Sequence, residues 1–97
     1  MAVLTIIAKW NAKPGAEDQL YERLRSLVAP TLAEEGCINY DLHRSIEAPG
    51  TFMFYENWTT KPLWKQHINA PHISTFFASK DDIVESWEIF QGEKVDA

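Results

Sequence analysis

The sequence predicts an α+β domain in which two helical regions cover one face of a four-stranded antiparallel sheet. Three observations predict this fold. Four short segments have the two-residue period of a β-strand: in one of them apolar and polar side chains alternate, and the other three carry apolar side chains on both faces. Two intervening regions carry apolar residues at helical spacing. Prolines and glycines separate the segments at the points where the chain must turn.

Length and composition indicate one domain with a bulky core. The 97 residues suffice for a single domain over residues 1–97, with a core over about 3–90 and a loose tail over 92–97. Aromatic residues make up 12% of the chain and include four tryptophans. The net charge is −5 and the basic residues are scattered, which argues against a nucleic-acid partner.

The predicted cellular setting is the cytoplasm. No apolar run approaches the roughly 20 residues that span a bilayer, so we expect no membrane partner. The first ten residues lack a cationic start and a small-residue cleavage site, so we expect no secretory signal. Cys37 is the only cysteine and cannot form an internal disulfide, which fits a reducing compartment.

The first predicted strand, residues 3–12, is apolar on both faces. One face carries Leu4, Ile6, Ala8 and Trp10, and the other begins with Val3, Thr5 and Ile7. A Lys-Pro-Gly turn at residues 13–15 ends the strand, because proline has no amide proton and glycine relaxes the backbone.

A long helix is predicted over residues 16–35. Its apolar stripe consists of Leu20, Leu24, Leu27, Val28 and Leu32. Gly36 is placed to end the helix in the left-handed conformation. Pro30 removes one hydrogen bond within this span, so we expect a kink or a split near Leu27.

Two strands joined by a tight turn follow the helix. The first covers residues 37–46, in which Ile38, Tyr40 and Leu42 alternate with Asn39, Asp41 and His43. The second covers residues 51–58. The turn at residues 47–50 contains proline and glycine and is typical of a hairpin connection.

A short helical region and a last strand complete the domain. Thr59 or Thr60 can cap the helix that Pro62 begins. A second proline ends this helix, and a further helical turn covers residues 72–78. The last strand covers residues 83–90 and is apolar at positions on both faces.

The order strand, helix, two strands, helix, strand is that of a ferredoxin-like βαββαβ fold with both helices on one face of the sheet. The helices can cover only that face. Strands that are also apolar on the other face would expose roughly several hundred Å² of hydrocarbon, more than soluble monomers usually tolerate. We therefore predict a homodimer in which two sheets pack face to face.

The strand over residues 51–58 and the helix after it contain the candidate site residues. Alternation places Tyr55 and Asn57 on one face of the strand and Glu56 and Trp58 on the other. All four cannot enter one pocket, and the sequence does not decide which pair faces the helices. In the helix, one side carries Leu63, Trp64, His67 and Ile68. This spacing predicts an inward imidazole beside a pocket.

Several short motifs occur in order along the chain. They are Ala12-Lys13-Pro14-Gly15, Glu35-Gly36-Cys37-Ile38-Asn39-Tyr40, Phe54-Tyr55-Glu56-Asn57-Trp58, His67, and Pro71-His72 followed by Phe76. In these motifs the chain resembles the antibiotic biosynthesis monooxygenase superfamily, over about residues 3–90. The resemblance implies a dimeric α+β barrel. Many members oxygenate quinols, anthrones or similar aromatics without metal or organic cofactor, while others degrade haem, isomerise phosphorylated metabolites or have no known activity.

The resemblance implies a cofactor-independent monooxygenase that oxidises a small electron-rich aromatic substrate with O₂. This chemistry requires a base, a dry aromatic cavity and a donor to the developing oxyanion. His67 is the candidate base and Asn57 the candidate donor, so these two are the predicted catalytic residues. The predicted substrate-binding residues are Tyr55, Trp58, Trp64, His72 and Tyr40.

Two other functional classes remain open. A non-redox enzyme, such as an isomerase, could use the same histidine on a small metabolite. A non-catalytic dimer could bind a small ligand, and His67 would then be a core histidine bonded to a carbonyl. Trp58 and Glu56 could likewise hold structure, with Glu56 near a donor or salt-bridged across the dimer. Oxygen consumption would separate these classes.

No metal or cofactor is predicted. His67 and His72 are five residues apart with a proline between them, so they do not share a helical face as an i, i+4 pair would. We expect neither to belong to a compact carboxylate–histidine cluster. We expect Cys37 to be buried and inert. Haem-degrading members carry other residues at the positions that align approximately with Ala8, His67 and Thr75, which argues against haem cleavage.

Overall fold

A computed structural model describes residues 3–96 and shows the predicted ferredoxin-like α+β fold. Its strands are β1 (Leu4–Ala12), β2 (Cys37–Arg44), β3 (Thr51–Trp58) and β4 (Val84–Gly92). Its helices are α1 (Glu17–Arg25), α2 (Val28–Leu32), α3 (Lys61–Ile68) and α4 (Pro71–Ser79), followed by a 3₁₀ turn, Lys80–Asp82. The sheet order is β2-β3-β1-β4, and each neighbouring pair is antiparallel. Residues 1, 2 and 97 of the predicted domain lie outside the described residues.

The central strand β1 has one face in the core and one face away from the helices. Ile6, Ala8 and Trp10, which alternation places together on one face, are buried beneath the helices. In β3, which pairs with β1, the residues facing the helices are Phe52, Phe54, Glu56 and Trp58. The aromatic core therefore lies between the sheet and one layer of helices.

The predicted long helix is split, as its proline indicates. Helix α1 ends at Arg25 and α2 begins at Val28. Pro30 lies in the first turn of α2, where its missing amide proton would have no helical partner. Because of the split, the apolar stripe predicted for one continuous helix does not continue into α2. Leu32, predicted to be buried, is 52% exposed, while Thr31 is fully buried. The prediction for Leu32 is therefore wrong.

Gly36 joins the helical region to β2 and has a φ of +87°. This left-handed conformation is the one predicted for the residue that ends the helix. A Cβ atom at this position would lie 2.6 Å from Leu63 Cδ1. Glycine is therefore needed at position 36 for two reasons: the backbone turn is left-handed, and the backbone lies too close to α3 to leave room for a side chain.

Strand β2 differs from its prediction at both ends. The register shifts between Cys37 and Asn39, so Ile38 is displaced from the face of Tyr40 and is 52% exposed. The strand ends at Arg44, two residues earlier than predicted, and Ile46 is fully exposed in the turn. The alternation of apolar and polar side chains does not predict where a bulge lies or where a strand gives way to a turn.

The elements after β3 begin and end close to their predicted limits. The Thr60 hydroxyl accepts a hydrogen bond from the Leu63 amide and caps α3. Helix α3 begins at Lys61, with Pro62 in its first turn. Strand β4 continues to Gly92, so this residue belongs to the sheet rather than to the predicted tail.

The face of the sheet opposite the helices carries exposed apolar side chains. They are Val3, Met53, Tyr55 and Phe90, which are between 36% and 59% exposed. We call this surface the open face. No helix within residues 3–96 is long and apolar enough to cross a membrane.

Candidate active site

Strand β3 decides which predicted site residues meet the helices. Glu56 and Trp58 are buried on the helix-covered face, while Tyr55 is 41% exposed on the open face. Asn57 shares the open face and accepts a hydrogen bond from the Thr5 hydroxyl, 2.7 Å away. Its Nδ2 donates to Asn39 Oδ1 at 2.9 Å. Tyr55 and Asn57 therefore lie on the other side of the sheet from His67, and Asn57 cannot serve as a donor beside that imidazole within one subunit.

His67 lies on α3 and is bonded to a carboxylate from another part of the chain. Its Nδ1 is 2.6 Å from Oε2 of Glu34, in the segment between α2 and β2. A carboxylate only accepts hydrogen bonds, so this contact places the imidazole proton on Nδ1. The other ring nitrogen, Nε2, is left with its lone pair. The His67 side chain is 4% exposed and that of Glu34 is 18% exposed.

His72 reaches the same carboxylate from the first turn of α4. Its Nε2 lies 3.3 Å from Glu34 Oε2 and 3.0 Å from Thr31 Oγ1. The expectation that neither histidine belongs to a compact carboxylate–histidine cluster is therefore wrong. Sequence spacing could not show this, because the carboxylate comes from a distant segment and the two histidines come from different helices.

The cluster of Glu34, His67 and His72 has the dimensions of a hydrogen-bond network. Its three ligand-type atoms lie within 4.8 Å of one another, so these residues are the ones that could hold a cation. Two ligands of a tetrahedral ion at about 2.0 Å would be roughly 3.3 Å apart. The 2.6 Å contact between His67 and Glu34 is shorter than this and has the length of a charge-assisted hydrogen bond.

A narrow cavity lies between the sheet and α3 and α4. Its lining includes Tyr40, Glu56, Trp64 and His67 at one part and Trp10, Phe76, Phe77 and Ile89 elsewhere. The centre of a water molecule can occupy about 20 Å³ of it, enough for one or two waters. The cavity is therefore small and lined largely by aromatic rings, and it is closed to a ring-sized molecule unless the side chains around it move.

Aromatic rings surround His67. The ring centroids of Trp58 and His67 are 4.7 Å apart, and those of Tyr40 and His67 are 5.4 Å apart. Burial lowers the pKa of His67 below its ordinary value of 6.5, although the hydrogen bond and the charge of Glu34 act in the opposite direction. The imidazole is therefore neutral at neutral pH and able to accept a proton.

Glu56 is a buried carboxyl group in the cavity lining. It is 3% exposed, and its Oε1 accepts a hydrogen bond from Trp58 Nε1 at 2.9 Å. Burial raises the pKa of Glu56 from 4.5 to about 7, despite the hydrogen bond from Trp58, and the charge of Glu34 adds to the rise. The alternative that placed Glu56 near a donor agrees with this geometry. A glutamate inside an apolar strand was the sequence signal for its burial.

Tyr40 packs on the cavity wall from β2. Its ring stacks on Phe54 with centroids 4.3 Å apart. Burial, followed by the negative charge of Glu56, raises the pKa of Tyr40 well above its ordinary value of 10. The phenol therefore keeps its proton and can only act as a neutral hydrogen-bonding group. Burial also raises the pKa of the half-buried Cys37 thiol to about 11, so it is protonated and unreactive at neutral pH.

The structure brings together part of the predicted set. His67, Trp64 and Tyr40 line the cavity. Trp58 and His72 are not in the lining: Trp58 donates a hydrogen bond to Glu56, which is, and His72 contacts Glu34, which is bonded to His67. The site residues that were not predicted are Glu34, which no local motif marks, and Trp10, which alternation had placed only on one of two apolar strand faces.

Comparisons with known proteins agree with this architecture. A family model described as "Antibiotic biosynthesis monooxygenase" matches residues 3–79. A protein of Mycobacterium tuberculosis, "Putative monooxygenase Rv0793", is 27% identical over 81 residues, covering 84% of this chain and 79% of that protein. "Putative monooxygenase YcnE" of Bacillus subtilis is 26% identical over 84 residues, covering 87% of this chain and 88% of that protein. The crystal structure of PA3566 from Pseudomonas aeruginosa is 32% identical, with a TM-score of 0.95 over 99% of this chain and 97% of that chain.

Proposed function

The chain belongs to the antibiotic biosynthesis monooxygenase family, and from this premise we propose that it is a cofactor-independent monooxygenase acting on a small electron-rich aromatic such as a quinol or an anthrone. The observation that supports the proposal most directly is the pairing of His67 with Glu34 at the wall of a narrow aromatic cavity. A neutral imidazole with a fixed tautomer is the group that proton removal from such a substrate requires.

In the proposed reaction, His67 Nε2 removes an acidic proton from the bound substrate. Glu34 holds the Nδ1 proton and stabilises the imidazolium that forms. The pair thus sets both the orientation of the base and the side of the ring that faces the substrate. Since burial keeps the imidazole neutral, the base is available without a rise in pH.

The substrate anion then supplies the electrons, so the proposal requires no metal or organic cofactor. One electron passes from the anion to O₂, and the resulting radical pair combines to a substrate peroxide. Cleavage of its O–O bond, with loss of the remaining hydrogen from the carbon that bears the peroxide, leaves one oxygen atom in the product. The other oxygen leaves as water, whose two hydrogens are that hydrogen and the proton returned by His67. Each turnover consumes one O₂, removes two hydrogen atoms from the substrate and inserts one oxygen atom into it.

Glu56 and Tyr40 replace Asn57 as the proposed donors to the substrate oxyanion. Both line the same cavity as His67. Tyr40 retains its proton at neutral pH, and Glu56 is protonated in part of the population because burial raises its pKa to about 7. A protonated acid in an apolar site can donate a hydrogen bond to developing negative charge.

The proposed enzyme works as a homodimer in the cytoplasm. The open face exposes Val3, Met53, Tyr55 and Phe90 together, and a second copy of this face would remove all four from water. The single cysteine suits a reducing compartment. The dimer also gives Tyr55 and Asn57 a role, at the contact between sheets rather than in the cavity.

One observation favours a second candidate, a non-redox isomerase-like enzyme. Glu56 and His67 offer a carboxyl group and an imidazole in one cavity, and such a pair can move a proton between two atoms of a small metabolite without O₂. This candidate predicts turnover under anaerobic conditions. The monooxygenase predicts none.

Oxygen uptake tests the proposal. We expect the protein to accelerate uptake with an anthrone or a reduced naphthoquinone, and His67→Ala to lower the rate by about 10²- to 10⁴-fold through loss of the base. His43→Ala is the matched control, because His43 is exposed near the end of β2 and is remote from the cavity lining. Uptake that stays at the uncatalysed rate across a panel of phenols, quinols and anthrones would exclude the monooxygenase.

A further inference from the structure

The carboxylate of Glu34 has no lysine or arginine to balance its charge. Its ion-pair contacts are to His67 Nδ1 at 2.6 Å and His72 Nε2 at 3.3 Å, and within residues 3–96 no lysine or arginine nitrogen lies within 4 Å of it. The Glu34 side chain is only 18% exposed, and charges that are largely removed from water are usually paired or coordinate a metal. An imidazole gives this carboxylate a hydrogen bond, but it gives a positive charge only when it is protonated.

The nitrogens of two imidazoles converge on the same carboxylate oxygen, Glu34 Oε2. Ligand-type atoms of the three residues all lie within 4.8 Å of one another. Two histidines and one carboxylate form a three-ligand set that binds Zn²⁺, with a water molecule in the fourth position. The fold assembles this set from the segment between α2 and β2, from α3, and from the first turn of α4.

The short contact between His67 and Glu34 belongs to the metal-free form. The proton on His67 Nδ1 lies in this contact, and at 2.6 Å the contact leaves no room for an ion. Zn²⁺ at about 2.0–2.1 Å from both atoms would hold them roughly 3.3 Å apart, so this contact would widen by roughly 0.7 Å. The contact between Glu34 and His72 already has a length of 3.3 Å. Glu34 lies outside the helices and strands, and the side chain of His72 is 23% exposed, so both can adjust.

An ion would reach the cluster from the surface of the protein rather than from the cavity. The side chains of Glu34 and His72 are 18% and 23% exposed, whereas that of His67 is 4% exposed. The nitrogen that faces the cluster is His67 Nδ1. The other ring nitrogen, Nε2, is the one proposed to remove the substrate proton. The metal ligand and the catalytic base are therefore two atoms of one imidazole.

We propose that Glu34, His67 and His72 bind a divalent transition-metal ion such as Zn²⁺, and that the bound ion inactivates the base. Coordination at His67 Nδ1 displaces the proton there, and the neutral imidazole then carries its one proton on Nε2. Nε2 is thereby converted from an acceptor with a lone pair into an N–H donor, which cannot take a proton from the substrate. The binding site stands on the geometry of the cluster alone, while its effect on turnover rests on the proposed function.

Binding of Co²⁺ tests the site without turnover, because Co²⁺ takes the same ligands as Zn²⁺ and has visible absorption bands. We expect a saturable spectrum at one ion per chain, which Zn²⁺ abolishes. His72→Gln and Glu34→Gln should each weaken binding by at least about tenfold, since loss of an outer-shell partner alone typically costs about 10–100-fold. His43→Gln is the matched control, because His43 is an exposed histidine outside the cluster. Cys37→Ser removes the only thiol and should also bind as the wild type does.

The tautomer of His67 provides a measurement that needs no variant. In protein labelled with nitrogen-15 in its histidines, the ring resonances should place the His67 proton on Nδ1 without metal and on Nε2 with one equivalent of Zn²⁺. Zinc binding that leaves this proton on Nδ1 would overturn the inference. Cobalt binding that is unchanged in both His72→Gln and Glu34→Gln would overturn it as well.

Oxygen uptake separates this inference from the proposed function. If both are right, saturating Zn²⁺ should lower uptake by the wild-type chain about 10²-fold or more through loss of the base, and a chelator should restore it. Uptake that continues unchanged when the site is saturated would overturn the inactivation and leave the monooxygenase in place. Zinc binding with the expected change of tautomer, in a protein that takes up no oxygen, would support the site and reject the monooxygenase alone.

Discussion

Two opposing effects act on the imidazole of His67, and its contact with Glu34 provides one of them. Burial lowers the pKa of His67, while the hydrogen bond and the charge of Glu34 raise it. Glu34→Gln removes the charge, so the pKa of His67 should fall further. The acid limb of kcat/KM against pH, where His67 becomes protonated, should then move to lower pH.

The maximal rate of Glu34→Gln should also fall, by about tenfold or more, because the amide no longer stabilises the imidazolium. Glu35→Gln is the control, since Glu35 is the exposed neighbour of Glu34 and should leave both the rate and the limb unchanged. The measurement is oxygen uptake as a function of pH. An acid limb that moves to higher pH in Glu34→Gln would contradict the assigned role.

The buried carboxyl of Glu56 should give the protein a pH-dependent stability. Its pKa is about 7 in the folded state against 4.5 as its ordinary value. Between these values the folded state holds a proton that the unfolded state has released, so the free energy of unfolding falls as pH rises from 4.5 to 7. The free energy of unfolding of Glu56→Gln should not fall in this way. Relative to the wild type, the variant should therefore become more stable by up to about 3 kcal/mol as pH rises over that range. The titration of His67 is common to both proteins and largely cancels in the comparison.

Urea denaturation of wild-type and Glu56→Gln protein across this pH range measures the effect. Glu47→Gln, in the exposed turn before β3, should show the slope of the wild type. Parallel curves for wild type and Glu56→Gln would mean that Glu56 is ionised in the folded state throughout.

Residue-level prediction succeeded where a periodic pattern fixes a direction. The helical spacing of Leu63, Trp64 and His67 placed the imidazole inward, and burial confirms that placement. The alternation in β3 predicted only that Tyr55 and Asn57 lie on the opposite face of the strand from Glu56. It did not predict which of the two faces packs against the helices. Glu34 could not be found from the sequence, because its contact with His67 depends on how two distant segments pack.

At the scale of elements, two glycines with nearly equal backbone angles have different surroundings. Gly15 has a φ of +86° and nothing within 4 Å of an added Cβ, whereas Gly36 has a φ of +87° and Leu63 Cδ1 at 2.6 Å. Gly15→Ala should therefore cost about 1–2 kcal/mol from backbone strain alone. Gly36→Ala should cost a further 1–3 kcal/mol or so, because α3 must shift to accommodate the methyl group.

Chemical denaturation of the two glycine variants gives this comparison directly. Equal losses of stability would show that α3 yields freely, and the position of His67 would then not depend on the turn at Gly36. The sequence predicted the left-handed turn from the glycine itself. It could not predict the contact with Leu63, which belongs to an element 27 residues away (63 − 36).

At the scale of the whole molecule, the open face should determine the association state. Met53 and Tyr55 are 36% and 41% exposed near its centre. Tyr55→Glu would place a charge in the proposed contact and should shift a dimer to monomer by sedimentation or light scattering. Ile46→Glu is the control, because Ile46 is fully exposed but lies in a turn beside the sheet. A wild-type chain that remains monomeric at micromolar concentration would reject the dimer.

The overall fold was predictable because element order and handedness leave few arrangements for two helical regions and four strands. The helix split near Leu27 was equally predictable from Pro30. The exposure of Leu32 and Ile38 was not, since the rotation after a split and the position of a bulge depend on packing. The narrowness of the cavity also escaped prediction, because it depends on the rotamers of Trp64 and Phe77 rather than on their spacing.

Glu34 and His67 are separated by 33 positions along the chain yet meet at bonding distance. Neither half of the protein contains the pair, so a proteolytic fragment of either half should be inert. Activity should therefore be lost only when the folded structure is lost. On heating, turnover and the far-ultraviolet circular dichroism of the sheet should disappear together.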